Sequence, residues 1–147
     1  MNIANMTGLE LMQAVARGDV PHPNMASTIP MKFVSVEKGV AIFEATADDR
    51  HINPLGGVHG GFAATVMDSV TGCAVHSMLE AGVGYGTIDL NVKMLKAVPK
   101  DKALKAEGRV ISMSNSLGVS EGKLIDETGK IYAYASATCM IMRPKAS

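Results

Sequence analysis

A chain of 147 residues is about one domain's worth and can bury roughly two thirds of its surface on folding. Lys plus Arg and Asp plus Glu number 14 each, so there is no net field to recruit nucleic acid or an anionic membrane. Cys73 and Cys139 both stand in apolar stretches and read as small core residues rather than a disulfide or metal pair, which fits a reducing cytosol.

The opening MNIANMTGLELMQ lacks a basic segment followed by an apolar run and a cleavage signal, so nothing there marks the chain for export and a cytoplasmic location is expected. Thr7 and Glu10 form a capping box, and Leu9, Met12, Val15 and Ala16 give an apolar stripe that stops near Gly18, predicting a short helix. Asp19-Val-Pro-His-Pro-Asn24 cannot stay helical. Pro30 to Ala47 reads as two β-rich runs broken at Lys38-Gly39, a hairpin. From Gly60 to Leu79 runs a helix of small and apolar residues whose only charge is Asp68. Thr87 to Met94 alternates strictly, with Ile88, Leu90, Val92 and Met94 on one face and Thr87, Asp89, Asn91 and Lys93 on the other. Strands are predicted at about Ala103 to Met113, Gly118 to Ile125 and Ile131 to Met142, the last two joined by the turn-forming Asp126 to Lys130. One very apolar helix among six strands implies an α+β fold, an antiparallel sheet curled around that helix with its polar faces outward. We read 1–147 as one domain, with 1–25 as an N-terminal helix and loop, and find no repeat, linker or low-complexity tract.

Asp68 is the leading candidate for chemistry. A helix so apolar is expected to be buried on nearly every face, and a buried carboxylate costs several kcal/mol of solvation unless it is paired, hydrogen-bonded or neutralised. The alternative is a structural acid bonded to backbone N–H groups or to Thr65 or Thr71. A membrane span is disfavoured by the acid, by Gly60, Gly61 and Gly72, and by the lack of cationic flanks.

His59 and Gly60 open the same helix, where unpaired N–H groups and the positive dipole end can hold an oxygen gaining charge. Nine residues separate His59 from Asp68, about half a turn around the axis and about 13 Å along it. Within one chain they cannot share a reacting atom, so the spacing hints at a two-fold dimer with two shared sites. His22, His51 and His76 are scattered and no metal-ligand spacing occurs. Gly84-Tyr-Gly86 and Gly56-Gly57 lack the context of a dinucleotide loop, and no Ser stands in a nucleophile elbow. His59 itself is assigned a positioning role first.

Asn53-x5-His59-Gly60-Gly61-x6-Asp68, with Gly86-Thr-Ile-Asp-Leu-Asn91, resembles the hotdog-fold acyl-CoA thioesterases, specifically the phenylacetate-degradation (PaaI-type) branch, over nearly the whole chain after residue 25. The resemblance implies hydrolysis of an acyl-CoA to free acid and CoA by a homodimer or a dimer of dimers, with no metal or organic cofactor. It implies that the Gly60 N–H polarises the thioester carbonyl and that Asn53 and His59 orient substrate or water. Asp68 from the partner subunit is then base or nucleophile, and Thr87 holds the attacking water. Gly61 and the loop Ser112, Met113, Ser114, Asn115 and Ser116 correspond to positions that contact substrate and the CoA arm. That loop has no cation of its own, so Lys93, Lys96 or Arg143 is expected to grip phosphate. Phe62, Met67, Met78 and Tyr85 are expected to shape the acyl pocket. The enzymatic rival is a hotdog dehydratase or hydratase, which would pair an acid with a His for proton transfer. The other rival is an acyl-CoA-binding domain without turnover.

Overall fold

The computed structural model describes residues 2–145. Helix α1 (Gly8–Arg17) begins at the expected box: the Thr7 hydroxyl accepts from the Glu10 N–H at 3.1 Å, and the Glu10 carboxylate accepts from the Thr7 N–H at 2.9 Å. Gly18 ends it in the left-handed region, φ 85°. Strands β1 (Met31–Glu37) and β2 (Val40–Thr46) form the hairpin around Gly39. Helix α3 (Gly60–His76) follows, then β3 (Gly84–Met94), β4 (Ala103–Met113), β5 (Leu117–Ile125) and β6 (Ile131–Met142). A four-residue helix, α2 (Met25–Thr28), lies in the stretch before the first strand, where a loop was expected.

All six strands form one antiparallel sheet in the order β1-β2-β4-β5-β6-β3. It curls around α3, the hotdog arrangement. Alternate residues of the inner faces, among them Ala41, Phe43, Ala45, Leu104, Ala106, Leu124, Ala133 and Ala135, pack with Phe62, Val66, Met67 and Val70 of the helix. The closeness of this packing rests on glycines in the strands as much as on small residues in the helix. A Cβ on Gly108 would stand 2.3 Å from the Val70 carbonyl oxygen, and one on Gly122 would meet the Thr71 methyl at 3.0 Å.

Several expectations need correction. The helix stops at His76 rather than Leu79, because the Ser77 hydroxyl turns back to donate to the Ala74 carbonyl at 2.6 Å and the chain leaves the helical path there. The helix is not buried on nearly every face. Gly61, Ala64, Thr65, Asp68 and Ser69 recur along one side that the sheet leaves open, and Asp68 is exposed. Finally, the face assignment of β3 fails at its start. Its register against β6 slips between Thr87 and Asp89, so Ile88 is a bulge residue and 56% exposed. Leu90 and Val92 face the core as expected, but before the bulge the inward residues are Tyr85 and Thr87. The outer sheet face is also less polar than expected, since Ile111, Leu117, Met140 and Met142 are exposed on it.

Among the described residues no helix is long and apolar enough to cross a membrane. No group of three or more His, Cys, Asp or Glu among them is placed to hold a metal ion.

Candidate active site

The start of α3 is built by the residues just before it. Asn53 Oδ1 accepts from the N–H groups of Leu55 at 2.9 Å and Gly57 at 3.2 Å, and the Asn53 N–H donates to the Gly57 carbonyl at 2.7 Å. This closes a tight loop in which Gly56 takes φ 91°. His51 anchors its other side. Buried against Phe62, its Nδ1 accepts from the Asp48 N–H at 2.9 Å and its Nε2 lies 2.9 Å from the Thr28 carbonyl, so the neutral ring carries its proton on Nε2. The His51 carbonyl then accepts the His59 N–H at 2.7 Å. Sequence reasoning missed this anchor, although Asp48 three residues before His51 is a local capping signal.

His59 is the N-cap of α3, its Nδ1 accepting from the Gly61 N–H at 2.8 Å. The Phe62 N–H donates to the His59 carbonyl at 3.0 Å. With the donors of residues 59, 61 and 62 engaged, the Gly60 N–H is left without a partner among the described residues, at the positive end of a 17-residue helix. Beside it opens a pocket of about 220 Å³ whose walls include His59, Gly60, Met94, Lys96 and Tyr132.

Asp68 lies eight residues on, about 12 Å along the axis. Its carboxylate has no hydrogen-bond or ion-pair partner among the described residues. The Thr65 hydroxyl donates to the Gly61 carbonyl and the Thr71 hydroxyl to the Met67 carbonyl, so neither restrains it. Asp68 is near enough to Tyr85, Cys73 and Cys139 for its charge to act on them. Burial first, and that charge in addition, push the Cys73 thiol up to about 12, and burial raises the Tyr85 hydroxyl and the Cys139 thiol in the same direction. The bulge turns Thr87 inward, where its hydroxyl makes only a long contact, 3.8 Å, to Cys139 Sγ.

Ser112, Met113, Ser114, Asn115 and Ser116 form the β4–β5 turn near the other end of α3, where Gly118 packs on Val75. The cation lacking in that sequence is supplied across the sheet. The Ile141 N–H bonds the Ser116 carbonyl at 2.9 Å, and Arg143 just beyond donates to the Asn115 carbonyl at 3.3 Å and pairs with Glu80. Lys96 instead flanks Gly60, and Lys93 belongs to neither place.

One chain therefore brings Asn53, His59, Gly60 and Gly61 together at one end of the helix, and Asp68, Thr87 and Tyr85 together at its middle. It does not join the two groups or bring the 112–116 turn to Gly60. Of the residues expected to shape the acyl pocket, Phe62 and Met67 are core and Met78 packs at Gly39, leaving Tyr85 on an open wall.

The six-stranded antiparallel sheet wrapped around α3 is the hotdog fold of the thioesterases. The chain belongs to the Thioesterase superfamily, whose sequence profile matches residues 55–133, more than half of it. A phenylacetic acid degradation-related protein of Ralstonia eutropha superposes with a TM-score of 0.79 at 30% identity, over 88% of this chain and 98% of that one. A human acyl-coenzyme A thioesterase 13 is 26% identical over 71% of this chain and 75% of its own length. A 1,4-dihydroxy-2-naphthoyl-CoA hydrolase of Listeria monocytogenes is 24% identical over 82% of this chain and 98% of its own. A shorter match to a Halobacterium salinarum protein, 43% identical over 68 residues, spans 44% of that protein.

Proposed function

We propose that this protein hydrolyses acyl-CoA thioesters in sites shared between two copies of the chain. The observation that carries the proposal is a pair of groups on α3 with no protein partner among the described residues: an N–H at Gly60 and a carboxylate at Asp68, about 12 Å apart on one rigid rod. A thioester carbon must lie within hydrogen-bond reach of both an oxyanion donor and the water that the base activates. The open strip of α3 and the unpaired edge of β3 offer a second copy a place to pack in reverse sense, which lays Gly60 of each chain beside Asp68 of the other.

In such a site Asp68 takes a proton from water held by Thr87, and the water oxygen bonds to the carbonyl carbon. The carbonyl electron pair moves onto oxygen, where the Gly60 N–H and the dipole of α3 meet it. Collapse breaks the C–S bond and releases CoA thiolate, which needs no acid because thiols ionise at about pH 8 to 9. Asp68 gives its proton back to solvent. Asn53 and His59 hold the loop that aims the Gly60 N–H, and His59 keeps its Nε2–H free to meet the substrate. Arg143, bonded to the 112–116 turn, and Lys96, beside Gly60, are the cations for the CoA phosphates. The CoA thioesters named for the human and Listeria relatives support CoA over a carrier protein.

The test is Asp68→Asn, which keeps the shape and removes the base. A thiol-release assay over an acyl-CoA panel is expected to show kcat lower by at least about 10², with KM within a few-fold and thermal stability held. Activity near the wild-type level sinks the proposal, and lost stability in place of lost turnover makes Asp68 a structural acid.

A further inference from the structure

Beside Asp68 the open strip of α3 leads into a second cavity, of about 130 Å³. Its walls come from four elements: Met25 of α2, Met31 and Phe33 of β1, Ser69 and Cys73 of α3, and Tyr85 of β3. Ser69 adjoins Asp68 in sequence, and Cys73 lies one turn further on. Charged side chains are absent from this lining, whereas the pocket at Gly60 includes Lys96. An acyl-CoA has one apolar end and one anionic end, and the uncharged cavity suits the apolar end.

Tyr85, one wall of this cavity, is seated on Gly72. A Cβ at Gly72 would stand 2.8 Å from the Tyr85 ring and 2.9 Å from its oxygen, so only glycine lets the ring lie flat on the helix there. His76 packs on the same ring at 5.3 Å between centroids. Met25, on the same lining, is half exposed.

We propose that the acyl group enters this cavity and that Tyr85, seated on Gly72, sets the longest acyl chain the enzyme accepts. The proposal rests on the shared-site hydrolysis above. An apolar cavity of about 150 Å³ holds one benzene, so this one takes a single ring or a chain of about six carbons. Longer chains meet the Tyr85 ring.

The experiment measures kcat/KM for acyl-CoAs from acetyl to dodecanoyl and, in parallel, calorimetric affinity for the non-hydrolysable S-hexyl-CoA and S-dodecyl-CoA thioethers. The wild type is expected to peak at or below about six carbons. Tyr85→Ala should raise the dodecanoyl-to-hexanoyl ratio at least about tenfold, the worth of a single well-seated methylene, and should shift the thioether affinities the same way. Tyr85→Phe keeps the bulk and should keep the optimum. Met25→Ala, a surface change that leaves the core intact, should lengthen the optimum by a smaller step. Unchanged length profiles in Tyr85→Ala and Met25→Ala, in rate and in thioether affinity alike, overturn the proposal. Because the thioethers report binding without turnover, a failure of the catalytic mechanism leaves the affinity test intact and is told apart from it.

Discussion

Replacing Gly60 by proline deletes one hydrogen and little else. Gly60 is the first residue of α3, the helical position where a missing N–H breaks no intrahelical bond. His59 before it has φ −62° and ψ 136°, in the extended region that a residue preceding proline adopts. The one close contact for an added Cβ is Met94 Sδ at 2.9 Å, the end of a flexible side chain that is 55% exposed and can swing away. Loss of one oxyanion donor is worth roughly 10² to 10³ in kcat, or about 2.7 to 4 kcal/mol. In the thiol-release assay Gly60→Pro should show that loss with KM changed only a few-fold. The same variant also tests the sharing of sites, because two differently disabled chains can rebuild one whole site. Mixing equal amounts of Gly60→Pro and Asp68→Ala chains makes about half the dimers mixed, each with one intact site, so activity should recover to roughly a quarter of wild type. Native mass spectrometry reports the mixed dimers and circular dichroism the fold. Near-normal activity in Gly60→Pro refutes the oxyanion assignment. Mixed dimers without recovery refute the shared site.

Thr87→Val keeps the shape of the inward residue before the bulge and removes its hydroxyl, and kcat/KM should fall by an amount equivalent to about 1 to 3 kcal/mol; an unchanged value removes Thr87 from the water-holding role. Gly108→Ala should destabilise the fold by at least about 1 to 3 kcal/mol, read as a fall in Tm, because the new methyl meets the helix backbone at Val70. Asp126 in the β5–β6 turn is held down to about 2 by the Thr128 hydroxyl, by the Thr128 and Lys130 N–H groups and by the Tyr132 hydroxyl. A carboxylate with a lowered folded pKa adds stability above its unfolded value of 3.8 and loses it as pH falls toward about 2. The Tm of the wild type should therefore exceed that of Asp126→Asn at neutral pH, and the two should converge across that acid window.

The elements of this fold with strong local signals were legible in the residues: the Thr7–Glu10 box, the Lys38-Gly39 hairpin, the start of α3 after the Gly-rich loop, and the three C-terminal strands. The exposure of Asp68 was not, because composition tells how apolar a helix is and not which side a curled sheet fails to cover. The alternation from Thr87 to Met94 concealed the bulge for a similar reason, since pairing with β6 decides register and β6 lies some fifty residues away. Helix α2 is too short for periodicity to show, and with it the wall of the acyl cavity was lost. Arg143 reaches the 112–116 turn only through pairing across the sheet, a contact no local window contains. The separation of Gly60 from Asp68 follows from helix spacing alone, whereas the freedom of the Gly60 N–H depends on the Gly61 and Phe62 hydrogen bonds, and that of the Asp68 carboxylate on the Thr65 and Thr71 ones.

The bulge at Ile88 makes β3 two half-strands spliced out of phase. The first half gives its odd-numbered residues to the interior, and the second half its even-numbered ones. A substitution anywhere in β3 changes one side chain, but pairing Ile88 into the ladder in place of the bulge would change the phase of all that precede it. The strand would then follow the strict alternation its sequence suggests, while Tyr85 and Thr87 rotated half a turn to the outside. The irregular residue, itself turned out of the core, thus sets the reading frame in which the site is spelled.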